Sequence, residues 1–125
     1  MSNFTIPKGL DFDFKVKVIE EDSFLPQDLT NMDETTSSFT LVKQATPDVS
    51  TGVSTLLSVV DAINGEVTGE LTAIETDGLE YERGDKVDGY YLKPTYFGVI
   101  TIKFTDSTPS ITTIINDILI VPTGN

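Results

Sequence analysis

The sequence predicts an all-β fold: an antiparallel two-sheet sandwich of seven or eight strands with one short helical turn. Three observations predict it. Residues 12–18 alternate strictly, with Phe12, Phe14, Val16 and Val18 on one parity and Asp13, Lys15 and Lys17 on the other. A strand buried on one face requires that period of two. Turn residues recur between short apolar runs along the whole chain, as a sandwich needs. Thr, Val and Ile are abundant and Ala is scarce, a composition that favours strands over helices.

Taken in order, residues 3–6 read as a short edge strand, followed by a turn at Pro7-Lys8-Gly9. Residues 12–18 are the clearest strand, and Glu20-Glu21-Asp22-Ser23 is a polar turn after it. Phe24-Leu25-Pro26 leads into Asp28-Leu29-Thr30; Pro26 lacks an N–H and so does not suit a central strand. Residues 38–43 read as a strand with Phe39 and Leu41 on one face, and 44–52 as a loop rich in Thr, Ser, Pro and Gly.

Residues 53–63, with Leu56, Leu57, Val59 and Val60, suit a helix or a strand by apolar spacing alone. The Asn64-Gly65 pair decides for a strand, because a tight type I′ hairpin needs positive φ at both central positions. Residues 55–63 and 66–72 are therefore expected to form one hairpin, with Val67 and Leu71 facing in. Gly69 in its second arm marks a bulge or a close approach. Thr72-Ala73-Ile74-Glu75 has the pattern of a capping box and Gly78 that of a helix stop, which places the helical turn at 73–77.

Residues 79–89 are charged and read as a loop anchored by Leu79 and Tyr81. Residues 90–93 form a strand running into Pro94. In 97–105, Ile100, Ile102 and Phe104 alternate with Val99, Thr101 and Lys103. Asp106-Ser107-Thr108-Pro109 is a turn. Residues 111–121 are the last strand, apolar on both parities near its end and so expected to be central or covered.

The chain of 125 residues suits one domain, 1–125, with one core. It contains 20 acidic and 8 basic residues, a net charge of −12. That argues against nucleic acid or an anionic membrane as partner, since both need a basic surface. It favours a basic partner. The N-terminus lacks the basic start and apolar stretch of a signal peptide, so a cytoplasmic birthplace is expected. Asn3-Phe4-Thr5 has the form of a glycosylation sequon, but no secretory signal supports its use.

Chemistry is poorly supplied. With no His and no Cys, the commonest general base, the best nucleophile and the usual zinc ligands are missing. No nucleotide-binding loop or nucleophile elbow is present. Glu82, Asp85 and Asp88 have oxygens at a spacing loosely suited to Ca²⁺, yet Lys86 sits among them and a solvated turn fits better. Arg83-Gly84-Asp85 is an integrin-type tripeptide too short to be specific. The sequence thus assigns no enzyme activity, no catalytic residue, no metal and no cofactor.

What remains is surface. Tyr90, Tyr91, Tyr96 and Phe97 crowd around Pro94, a density of aromatics that suits either core packing or an interface. An exposed first strand carrying Phe4 and Ile6 would offer an edge to a neighbour. These six residues are the candidate interface.

The stretch Phe4-Thr5-Ile6-Pro7-Lys8-Gly9-Leu10-Asp11-Phe12-Asp13-Phe14 resembles the opening of Ig-like domains in structural proteins of tailed bacteriophages. Leu25-Pro26-Gln27-Asp28-Leu29-Thr30 resembles their next segment. So do Gly65-Glu66-Val67, Leu71-Thr72, Glu75-Thr76 and Leu79, and so does the closing hairpin of 99–105 and 111–124. Within that family the chain resembles the N-terminal domain of phage baseplate upper proteins. The loop at 44–53 is longer than that pattern, and nothing here resembles the receptor-binding adaptor region of that family.

The resemblance implies an Ig-like sandwich and a virion structural protein of the tail, baseplate, neck or capsid surface. It implies other virion proteins as partners, with several copies or a homo-oligomer in the particle. Two other functions compete. A carbohydrate or cell-surface binding module would need a groove of exposed Tyr or Trp, and Trp is absent. An acidic DNA-mimic inhibitor would need its acids on one face at phosphate-like spacing, which the alternation in 12–18 does not suggest.

Overall fold

Alternating side chains give most strands one buried and one open face, and the strands sort accordingly into two layers. The computed structural model describes residues 4–20, 22–47, 52–83 and 92–122. The strands are β1 (Thr5–Lys8), β2 (Phe12–Lys17), β3 (Ser38–Lys43), β4 (Val53–Leu56), β5 (Ser58–Asp61) and β6 (Glu66–Leu71). After helix α1 (Ala73–Asp77) come β7 (Glu82–Arg83), β8 (Leu92–Lys93), β9 (Tyr96–Ile102) and β10 (Ile111–Pro122). The larger sheet has the order β1-β10-β9-β3-β4 and the smaller β2-β6-β5; β7 and β8 form a separate ribbon. Every pairing is antiparallel except β1 with β10, which is parallel. The order β10-β9-β3-β4 against β2-β6-β5 corresponds to the G-F-C-C′ and B-E-D strands of an immunoglobulin-like sandwich.

The core lies between the sheets and is aromatic at its centre. The Phe14 ring is 4.7 Å from Phe39 and 5.3 Å from Phe4. Both sheets leave space for these rings by omitting a side chain. A Cβ on Gly69 would stand 2.4 Å from Phe14 Cζ, and one on Gly98 2.5 Å from Phe39 Cε1. Gly69 is thus a close approach, not a bulge: β2 and β6 keep register from Phe12↔Leu71 to Lys17↔Glu66. β3 is buried on both faces, with Thr40 and Val42 covered as well as Phe39 and Leu41.

Helix α1 forms where its caps dictate. Thr72 Oγ1 accepts from the Glu75 N–H at 3.2 Å, and Glu75 Oε1 accepts from the Thr72 N–H at 2.9 Å. Buried Thr76 ties the helix to the first turn: its hydroxyl donates to the Leu10 carbonyl at 2.7 Å and accepts from the Gly9 N–H at 3.0 Å. That turn is Pro7 to Leu10, with Gly9 at φ 85°, the positive φ a type II turn requires. β1 runs on through Pro7 and Lys8, beyond the expected strand end at Ile6, so strand and turn overlap and the turn closes at Leu10.

Two expectations need correction. Residues 55–63 are not one strand. The chain leaves the larger sheet after Leu56 and enters the smaller at Ser58, with Leu57 fully buried at the crossing and its N–H on the Ser37 carbonyl. The hairpin loop is also not a two-residue type I′ turn. Asp61 pairs with Glu66, so the loop spans 62–65, and only Gly65 has positive φ, at 70°. Asp61 holds the loop by accepting from the Asn64 N–H at 3.2 Å and from Asn64 Nδ2 at 2.7 Å.

Candidate functional site

Three of the four described residues of the expected interface turn inward. Ile6 is 0% exposed and Tyr96 3% exposed, both within the core. Phe4 is half-buried and packs on the rings of Phe12, Phe14 and Phe39. Phe97 is half-buried on the outward parity of β9. Tyr90 and Tyr91 lie outside the described residues, as do Asp85, Asp88 and most of the loop that carries them.

Tyr96 has a structural duty. It opens β9, and its hydroxyl accepts from the Glu80 N–H at 3.1 Å, tying the strand to the segment after α1. The bond resembles that of the corner tyrosine in immunoglobulin-like folds, but it spans more of the chain, reaching from the start of β9 back to Glu80. A cleft of about 530 Å³ lies beside it, lined by Lys43, Gln44, Glu80, Tyr81, Lys93 and Pro94 among others. Its cations are matched: Lys43 pairs with Glu80, and Lys93 with Glu82 at 3.3 Å. Among the described residues no group of three acidic, His or Cys side chains stands close enough to hold a metal ion.

The two outer faces differ in charge. On the smaller sheet Asp13, Lys15 and Lys17 of β2 stand opposite Glu70, Thr68 and Glu66 of β6. Lys15 reaches Glu66 at 3.6 Å. On the larger sheet the outward positions are uncharged: Thr40 and Val42 of β3, Phe97, Val99 and Thr101 of β9, and Ile114 of β10.

One like-charge pair remains on the smaller sheet. Glu70 faces Asp13 across the strands, and their shared hydrogen bond and Asp13's charge, with Asp11 and Glu75 nearby, raise the Glu70 pKa. A carboxylate raised in the folded state takes up its proton first there. Folding therefore gains stability as pH falls through that raised pKa, with the gain complete below the ordinary glutamate value.

Asp28, Asp33, Asp61 and Asp106 have the opposite sign. Hydrogen bonds from Thr30, Thr35, Asn64 and Thr108 respectively hold their pKa values low, and that stability is lost on further acidification. Thermal melts across pH should rise from neutral into mild acid and then fall. Glu70→Gln should raise the neutral melting temperature and remove the rise; an unchanged profile would contradict the assignment.

The exposed surface that stands out was not singled out by sequence. Past β2 the chain makes a small hairpin: Gln27 N–H donates to the Val18 carbonyl, and Ile19 bridges Pro26. At its tip the Phe24 N–H donates to the Glu20 carbonyl at 3.0 Å and the Glu20 N–H to the Leu25 carbonyl at 2.8 Å. Ser23 Oγ donates to Glu20 Oε1 at 2.6 Å. Phe24 closes the tip at φ 58° with 74% of its surface exposed.

Left-handed backbone costs a side chain with a Cβ about 1–2 kcal/mol, and glycine usually takes such a place. Ile19 and Leu25 are exposed on the same hairpin, and Ile63 on the adjoining β5–β6 loop, whose Gly65 carbonyl accepts from the Val18 N–H. Phe24→Gly should therefore stabilise the isolated chain by about 1 kcal/mol, read as a higher urea midpoint. A loss of stability would show that the ring packs on the fold after all.

The signal for this site was the apolar pair Phe24-Leu25 after the polar run Glu20-Glu21-Asp22-Ser23, outside any alternating run. No protein-family model and no curated protein matches the chain.

Proposed function

We propose that this chain is a non-enzymatic assembly module of a tailed-phage particle, in the tail, baseplate or neck or on the capsid, which docks on other particle proteins. The observation that supports this reading best is the apolar hairpin tip. An exposed aromatic held in a costly backbone conformation, beside Leu25 and Ile19, has no role in the chain's own core. Clustered aromatic and aliphatic anchors of this kind are what interface hot spots use. Exposed Glu20 and Asp22 and half-buried Asp61 flank them, so the complementary surface is an apolar pocket rimmed by Lys and Arg.

The test is mass spectrometry of purified particles from the phage that encodes the chain, with copy number per particle. A fixed number matching a ring or shell of the particle supports the reading. Absence from particles contradicts it.

A further inference from the structure

We infer that a second copy of this chain pairs with it edge to edge along residues 111–115 of β10. The inference specifies a partner within the proposed assembly function, but its evidence is separate: it rests on the sheet edges. β9 covers one side of that segment, in register from Ile111↔Ile102 to Ile115↔Gly98. β1 covers the other side only from Leu119 to Pro122. Among the described residues nothing pairs with the open side of 111–115.

An open edge invites another strand, and proteins guard against it with Pro, Lys, bulges or very short strands. The other described edges carry such guards. β1 contains Pro7, β2 points Lys15 and Lys17 outward, β4 is four residues long, and β5 is four residues long with a register shift. The segment Ile111-Thr112-Thr113-Ile114-Ile115 has none of these within it. Every residue is β-branched and none is charged. A bulge beyond Ile115, with Asp117 at φ 57°, and Pro109 before Ile111 delimit the window.

The strip's own sequence selects a second copy as the occupant, and its lack of charge permits the approach. Two chains of net charge −12 repel over most of their surfaces. They meet without like-charge contact only along an uncharged strip, and this edge continues into the uncharged outer face of the larger sheet. The segment is also self-complementary. In an antiparallel pair about a two-fold axis, Thr113 faces its own copy, Thr112 faces Ile114, and Ile111 faces Ile115. These are the β-branched cross-strand pairs that stabilise a sheet. The contact is small, so the dimer is weak alone and strengthened by repetition in an assembly.

Sedimentation of the whole chain from about 10 µM to 1 mM should show concentration-dependent dimers, favoured by added salt as charge repulsion is screened. Thr113→Lys, at an exposed position, should abolish them while the circular dichroism spectrum and melt stay native. The chain has no Cys, so single substitutions report the register. Thr113→Cys should oxidise readily to a disulfide dimer. Thr112→Cys should not, because its two copies would stand diagonally about 7–8 Å apart, beyond disulfide reach.

A wild-type chain that stays monomeric throughout overturns the inference. So does a dimer that survives Thr113→Lys, or one that cross-links equally through both positions. None of those outcomes bears on whether the chain is part of a particle, which copy counting decides separately.

Discussion

Phe39→Ala is expected to destabilise the sandwich by about 3–5 kcal/mol, the usual loss for removing a large buried ring. Phe39 is 0% exposed and lies 4.7 Å from the Phe14 ring and 5.8 Å from that of Phe4. Its backbone pairs with β4 at Thr55 on one side and with β9 at Ile100 on the other. Neither strand can move in to fill the void without breaking that ladder. Total stability for a domain is about 5–15 kcal/mol, so the loss takes up much of the margin.

The glycine opposite supplies a control. Gly98→Ala alone forces a methyl against the Phe39 ring, within 2.5 Å of Cε1, and should also destabilise. Combined with Phe39→Ala it enters vacated space, so the double variant should be more stable than the two losses added together. Urea denaturation of the four proteins measures this. Simple additivity would mean that Phe39 and Gly98 do not share the space assigned to them.

Gly65→Val is expected to cost about 3 kcal/mol, from the strain of a β-branched residue at positive φ together with a direct collision. The φ of Gly65 is 70°, and a Cβ there would stand 2.4 Å from the Val18 carbonyl oxygen and 2.9 Å from that of Gln27. The Val18 oxygen is fixed on both sides. It accepts from the Gln27 N–H at 2.9 Å, while the Val18 N–H donates to the Gly65 carbonyl at 2.8 Å. The junction of the β5–β6 loop with the Val18–Gln27 pair must therefore open. At about 3–6 °C per kcal/mol for a domain of this size, the melting temperature should fall by roughly 10 °C or more. A loss below about 1 kcal/mol would contradict the geometry of this turn.

These two sites show where sequence was informative. The alternation at 12–18 and 97–105 gave strands and faces because a half-buried strand leaves its period in the residues themselves. The capping box at Thr72 and Glu75 gave the helix because its hydrogen bonds are local. Gly65 was legible as a turn glycine, but the turn type was not. Asp61 captures Asn64 by side-chain bonds and stretches the loop to four residues, a contest no dipeptide rule contains.

The crossing at Leu57 was illegible for a related reason. No Pro or Gly marks it, and the run from 53 to 61 keeps a strand-like composition while it changes sheet. The candidate site fared worse. Tyr96 and Ile6 were chosen for aromatic density and edge position, yet parity turns both into the core. Phe24 was passed over because its exposure comes from a backbone twist at a hairpin tip, and only coordinates reveal that.

The central claim is that this chain works by presenting an apolar hairpin tip to another particle protein. The most direct test compares incorporation of wild-type and Phe24→Gly chains into phage particles by quantitative mass spectrometry, alongside melts of the free proteins. The account predicts a free variant at least as stable as wild type, with incorporation reduced about tenfold or more, as loss of a hot-spot ring entails. Equal incorporation of a well-folded Phe24→Gly chain would contradict it.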